Sequence, residues 1–216
     1  MNELIAIEQA EYVKKWCREY GFGILLGVVF ALFISWGWNY RHQLKEKNLV
    51  IASMQYEHLV SAISLNENTS ALNNLADSLL KDYAYTPYAS LAALQLAKVD
   101  IDQNNLLDAV NRLDWIINHG HDQILQSIAK LRLVRILLSQ NQAKAALKLL
   151  SKNEDKAYVP IFLEERGDIF KSLGRGKEAL RSYLAAKKAF GKVVEQPLLE
   201  IKINNLVRAL DENSND

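Results

Sequence analysis

Between Glu19 and Arg41 the stretch YGFGILLGVVFALFISWGWNY carries no charge, and this run limits the folds open to the chain more than any other feature. At about 1.5 Å per residue, a helix over Tyr20 to Tyr40 reaches roughly 30 Å, the thickness of a bilayer's hydrocarbon core. Trp16 and Tyr20 sit at its start and Trp36, Trp38 and Tyr40 at its end, where amphipathic rings favour the headgroup level. A cleaved signal peptide does not fit, because the preceding segment is long and acid-rich and FISWGWNY holds no small-x-small site. A buried core helix fits poorly too, since the chain as a whole is 24% charged. The run predicts one transmembrane helix.

The remaining length supports one further domain of about 175 residues, enough to bury a core. The net charge is +1, and Lys and Arg alternate with Asp and Glu throughout, so no basic face for nucleic acid forms. The single cysteine, Cys17, has no partner for an intrachain disulfide.

Met1 to Glu19 has Leu4, Ile7, Tyr12 and Trp16 at near-helical spacing, a pattern suited to the membrane surface. Lys14, Lys15 and Arg18 before the span balance Arg41, Lys45 and Lys47 after it, so flanking charge assigns no orientation. After Tyr40, Leu49, Ala52, Tyr56, Leu59 and Ile63 continue a helical period as far as NENTS at 66–70. The expected layout is a short segment at 1–19, the span at 20–40, a juxtamembrane helix at 41–65 and a domain at 66–216.

That domain reads as all-α. No stretch sustains strand alternation, and Pro87, Pro160 and Pro197 each stand near the start of an apolar-periodic segment. The periodicity predicts helices at 70–82, 87–102, 105–118, 123–140, 142–151, 159–173, 175–190 and 197–211. NLLDAVNRL, QAKAALKLL and RGKEALRSY each follow a polar turn and carry an alanine, Ala109, Ala146 and Ala179, at spacings of 37 and 33. These bracket the period near 34 of tetratricopeptide repeats. Gly167, Phe170, Ala179, Tyr183 and Ala186 carry that repeat's signature best, and a generic helical bundle is the alternative. In the weaker units Val134 and Ala97 take the glycine position, and Leu137 and Asp100 the aromatic one.

A search for chemistry finds no catalytic, metal or cofactor constellation. His119 and His121 lack further ligands, Glu164 and Glu165 read as an outer face, and SLGRGKEA lacks the spacing of a phosphate loop. Cys17 has no nearby histidine to activate a thiol.

Several segments together resemble one family: EQAEYVKKW before the span, YAYTPYASLAALQLAK from Tyr83, IAKLRLVRILL from Ile128, ERGDIFKSLGRGKEALRSY from Glu165 and KINNL from Lys202. Over nearly its whole length the chain resembles the ancillary SecYEG translocon subunits, the YfgM-like proteins of Gram-negative inner membranes. The resemblance implies a cytoplasmic N-terminus and a periplasmic repeat domain beside the translocon. There it would help hand emerging client polypeptides to a membrane-anchored periplasmic chaperone.

The leading expectation is therefore a non-enzymatic, single-pass, protein-binding module with no cofactor. A cytoplasm-facing tetratricopeptide scaffold or stress-response regulator, and an undetected hydrolase or transferase, are the competing readings. Repeat arrays form concave binding surfaces, and the repeat pattern points Arg135, Glu164, Asp168 and Lys171 toward that face. Their mixed signs do not suit capture of a C-terminal carboxylate. Gly23, Gly27, Ala31 and Ser35 form a small-residue stripe along the span, a contact for the translocon, another single-span chaperone or a second copy in a homo-oligomer.

Overall fold

The computed structural model describes residues 27, 29–37, 45–150, 156–191 and 196–212, and the chain divides into two compact units, Met1–Ile51 and Ala52–Asp216. In the first unit every described residue is helical. Among the described residues no helix is long and apolar enough to cross a membrane, and there is no strand. The anticipated span lies partly outside the described residues, and segment 1–19 wholly so. Within its described part, Phe30, Leu32, Phe33, Ile34 and Trp36 are each more than half exposed.

The second unit is a series of helical hairpins. Residues 52–64 (α1) lead to α2 (Thr69–Asp82), followed by α3 (Pro87–Asp102) with α4 (Leu106–His119) and α5 (Gln123–Ser139) with α6 (Ala143–Leu150). A 3-10 turn at Lys156–Tyr158 introduces α7 (Val159–Ser172), which pairs with α8 (Gly176–Phe190), and α9 (Pro197–Glu212) closes the series. Local chemistry starts these helices where the sequence indicates. The Asn68 side chain accepts from the Ala71 N–H at 2.8 Å, and that of Asp122 from the Ile124 and Leu125 N–H groups at 2.8 and 3.1 Å. Pro87 and Pro160 occupy first turns, where a missing N–H leaves no bond unmade. Each boundary falls within a residue of its expected place.

One turn geometry joins the two helices of every hairpin. Asn66, Asn104, Asn141 and Gly174 adopt φ of 55°, 59°, 60° and 73°, the left-handed region that asparagine and glycine tolerate best. The next N–H then returns to a carbonyl near the end of the first helix: Glu67 to Ala62, Asn105 to Asp100, Gln142 to Leu137 and Arg175 to Phe170, at 3.1, 2.7, 2.8 and 2.9 Å. This satisfies carbonyls the helix end would leave open.

Among the described residues four hairpins are therefore in register, one more than the alanine spacing alone picks out. Leu59, Ala97, Val134 and Gly167 hold equivalent buried positions in the first helices. Leu72, Ala109, Ala146 and Ala179 do so in the second helices, with Ala76, Leu113, Leu150 and Tyr183 one turn on. Residues 52–64, which sequence periodicity places in the juxtamembrane helix, bury Ala52, Leu59 and Ala62 against Leu72, Ala76, Leu79, Ala92 and Leu96. At the far end Leu199, Ile203 and Leu206 of α9 pack on Ala179, Tyr183 and Ala186 of α8.

The tightest approach is at Gly167. A Cβ there would lie 2.3 Å from two ring atoms of Tyr183, which is fully buried. Gly167→Ala is expected to lower stability by about 1–3 kcal/mol, because the ring has no free volume to move into. Urea denaturation followed by helicity reads this; an unchanged midpoint would contradict the packing.

Candidate partner-binding face

Three first helices, α5, α7 and α9, bring side chains together across the array. Arg135 of α5 reaches Glu165 of α7 through Nε at 2.7 Å and Nη2 at 2.6 Å. Glu165 is only 5% exposed, so the outer-face reading of Glu164 and Glu165 is corrected: one is buried and the other half-buried. Burial pushes the Glu165 carboxyl above its usual pKa, and Arg135 offsets this only in part. The two neighbours do diverge as helical geometry requires, since Glu164 turns the other way to accept from Lys202 of α9 at 2.8 Å.

Asp168 sits at the centre of this group. It accepts from Lys202 Nζ at 2.7 Å and from the Tyr183 hydroxyl of α8 at 2.7 Å, so three helices meet on one carboxylate. Burial, reinforced by Asp168, drives the Tyr183 phenol well above its ordinary pKa. For Lys202 burial works to lower the pKa, but the bonds from Asp168 and Glu164 outweigh it and the net shift is upward. Both groups have folded values above their unfolded ones. Their contribution is complete below about pH 10 and is lost as pH rises through the folded values. Urea midpoints are expected to fall steeply above about pH 10, and less steeply in a Tyr183→Phe, Lys202→Met chain. Parallel midpoint curves for the two chains would refute this linkage.

Of the sequence-predicted face residues, Arg135, Glu164 and Asp168 join this group, whereas Lys171 stands exposed apart from it. Gly27, Ala31 and Ser35 are exposed on a helix, with nothing within 4 Å of a Cβ built on Gly27. Gly23 lies outside the described residues. Sequence reasoning missed Lys202 and Glu165. Continuing the repeat period past α8 sets Lys202 in line with Glu165 and Arg132, a signal that was available. A separate cluster ties the first two hairpins, where Arg112 reaches Asp100 at 2.5 Å and Asn73 at 2.7 Å.

Among the described residues four hairpins share one turn type and one register of buried positions. Residues 14–208 fit the model described as the tetratricopeptide repeat-like domain. The chain belongs to the tetratricopeptide repeat-like domain family. Curated relatives of this tetratricopeptide repeat-like chain carry the name ancillary SecYEG translocon subunit. The one from Escherichia coli (strain K12) is 29% identical over 92% of this chain and 95% of its own length. Those from Aggregatibacter actinomycetemcomitans and Haemophilus influenzae are 27% and 25% identical, over 90% and 92% of this chain and 94% and 96% of their own. No solved structure matches the chain. In this tetratricopeptide repeat-like array ion pairs link neighbouring helices, Arg135 to Glu165 and Lys202 to Glu164 and Asp168.

Proposed function

We propose that this protein is a non-enzymatic accessory of the SecYEG translocon, anchored by one inner-membrane helix over Tyr20 to Tyr40. The observation that carries the reading is end-to-end similarity to relatives bearing that name, across both the apolar run and the hairpin array. The exposed apolar side chains between Val29 and Trp36 support an anchor, because such a surface suits lipid better than water. In this reading the N-terminus is cytoplasmic and the repeat domain periplasmic. Its first-helix face, around Arg135, Glu164, Asp168 and Lys171, receives client segments and passes them to a membrane-anchored chaperone. The stripe Gly23, Gly27, Ala31 and Ser35 contacts the translocon or that chaperone within the bilayer.

Topology is the first test. Single cysteines at Asn2 and Ser139, in a Cys17→Ser background, are treated in intact cells with a thiol reagent that crosses only the outer membrane. Labelling at Ser139 with protection at Asn2 is the expected result. The opposite pattern would favour the cytoplasm-facing scaffold. Co-purification with the translocon in mild detergent, reduced by Gly27→Leu, tests the membrane contact.

A further inference from the structure

The expected alternation of charge holds for the chain as a whole and fails between its hairpins. Residues 52–122 hold three Lys or Arg against nine Asp or Glu, whereas residues 123–191 hold 14 against six. The reversal falls on one exposed face of the second helices. Two residues before the Leu72, Ala109, Ala146 and Ala179 position stand Ser70, Leu107, Lys144 and Lys177, and two residues after it Asn74, Asn111, Lys148 and Arg181. Five residues after it come Asp77 in α2 and Asp114 in α4. All of these are exposed, and steps of four and three keep them on one side of each helix. The face is therefore acidic on α2 and α4 and basic on α6 and α8. Ion pairs within it offset this only in part, Lys81 with Asp77 at 3.5 Å and Arg175 with Glu178.

Shape follows the charge. On the basic side Lys144, Leu147 and Lys148 of α6, with Leu173 and Arg175 beyond them at the end of α7, line a cavity of about 510 Å³. Leu147 and Leu173 are half-buried and pack on the core around Val134 and Ile169, so the floor is apolar and the rim cationic. On the acidic side Leu107 stands 72% exposed, next to exposed Asp108 and two turns before Asp114. Asn105 and Asn118 bond to these two carboxylates at 2.6 and 3.0 Å and leave their charge in place.

A leucine flanked by carboxylates complements that cavity, and one chain carries both halves. We infer that this face docks a second copy of the chain, whose Leu107 enters the cavity while its Asp108 and Asp114 meet the lysines of the rim. A two-fold axis parallel to the second helices, between α4 and α6, sets α4 of each copy on α6 of the other. Leu107 and Lys144 hold equivalent positions, so they meet at the same level along the helices. The contact is then made twice and closes as a dimer. Setting α4 on α4, or α6 on α6, would oppose like charges. A bilayer suits the face less well, because its apolar floor is recessed below the lysines. Nucleic acid does too, because no aromatic ring lines the cavity to stack on a base.

The test uses the full chain in mild detergent, with Cys17→Ser, and sedimentation to read its mass. One variant carries Lys144→Glu and Lys148→Glu, the other Asp108→Lys and Asp114→Lys; all four positions are exposed, so helicity is expected to hold. Each variant alone is expected to lose at least about tenfold in self-association. An equimolar mixture of the two is expected to recover the parental affinity, because every acid again faces a lysine, and a misfolded variant could not be rescued in this way. Leu107→Cys in one tagged copy and Lys144→Cys in another should also form a disulfide that joins the two tags, with little bridging between two Leu107→Cys copies. A monomeric parent, self-association indifferent to both variants, a mixture that fails to recover, or a basic face that prefers phosphatidylglycerol vesicles or an oligonucleotide to the second copy would each overturn the proposal. Any of those results leaves the translocon reading standing, because that reading rests on the likeness to the translocon subunits.

Discussion

An Asp100→Ala chain is expected to lose about 3–5 kcal/mol of stability, the largest effect of any single substitution considered, because it strands a buried cation. The Arg112 side chain is 15% exposed and its carboxylate partner 2%, so neither group has much water to turn to. Asn73 alone remains to Arg112, and a neutral amide oxygen does not replace a carboxylate. The same position holds Ala62, Leu137 and Phe170 in the other hairpins, so an apolar residue fits the local geometry. Replacing both partners, Asp100→Leu with Arg112→Leu, is therefore expected to recover most of the loss. Chemical denaturation of the two single variants and the double one completes the cycle. Additive losses would mean that the pair is not coupled.

Removing residues 1–65, where periodicity alone would cut, is expected to cost several kcal/mol more than removing 1–44. Without α1 the shorter chain exposes Leu72, Leu79 and Leu96, each worth about 1.5–3 kcal/mol when fully buried. It also loses the ring contact of Tyr56 with Tyr88, at 5.9 Å between centroids, and the bond from Ser78 to the Gln55 side chain at 3.2 Å. Stability in a stacked array is nearly a sum of nearest-neighbour terms, so the damage is concentrated in α2 and α3. Amide exchange is the discriminating measurement: α2 should exchange rapidly in the shorter chain while α7 and α8 keep their protection. Uniform protection in both chains would show that α1 is dispensable.

The difference between those two cuts marks where the sequence is hard to read. The three later hairpins announce themselves through Ala109, Ala146 and Ala179, which occur wherever two helices approach closely. The first hairpin exchanges the pattern, with Leu72 at the alanine position and Ala76 at the larger one. Its turn, residues 65–68, is also one residue longer. A period search tuned to alanine passes over it. Charged residues were harder still. Nothing local distinguishes a buried acid from a solvated one, and Glu165, Asp168 and Asp100 depend on partners 12 to 34 residues distant in the chain. Helix starts, by contrast, depend on neighbours within one turn, and Pro87, Pro160 and Pro197 made three of them legible.

The left-handed turns at Asn66, Asn104, Asn141 and Gly174 also bear on how the molecule acquires its structure. Each lets a first helix fold back on the second that follows it, so a hairpin can close without waiting for any residue further along. Short closures cost little chain entropy, and topologies made of them fold quickly. Helix formation and loop closure take about microseconds or less, whereas a ribosome adds about 5–20 residues per second. The array can therefore assemble in order from its N-terminal end, each completed hairpin serving as the template on which the next one settles.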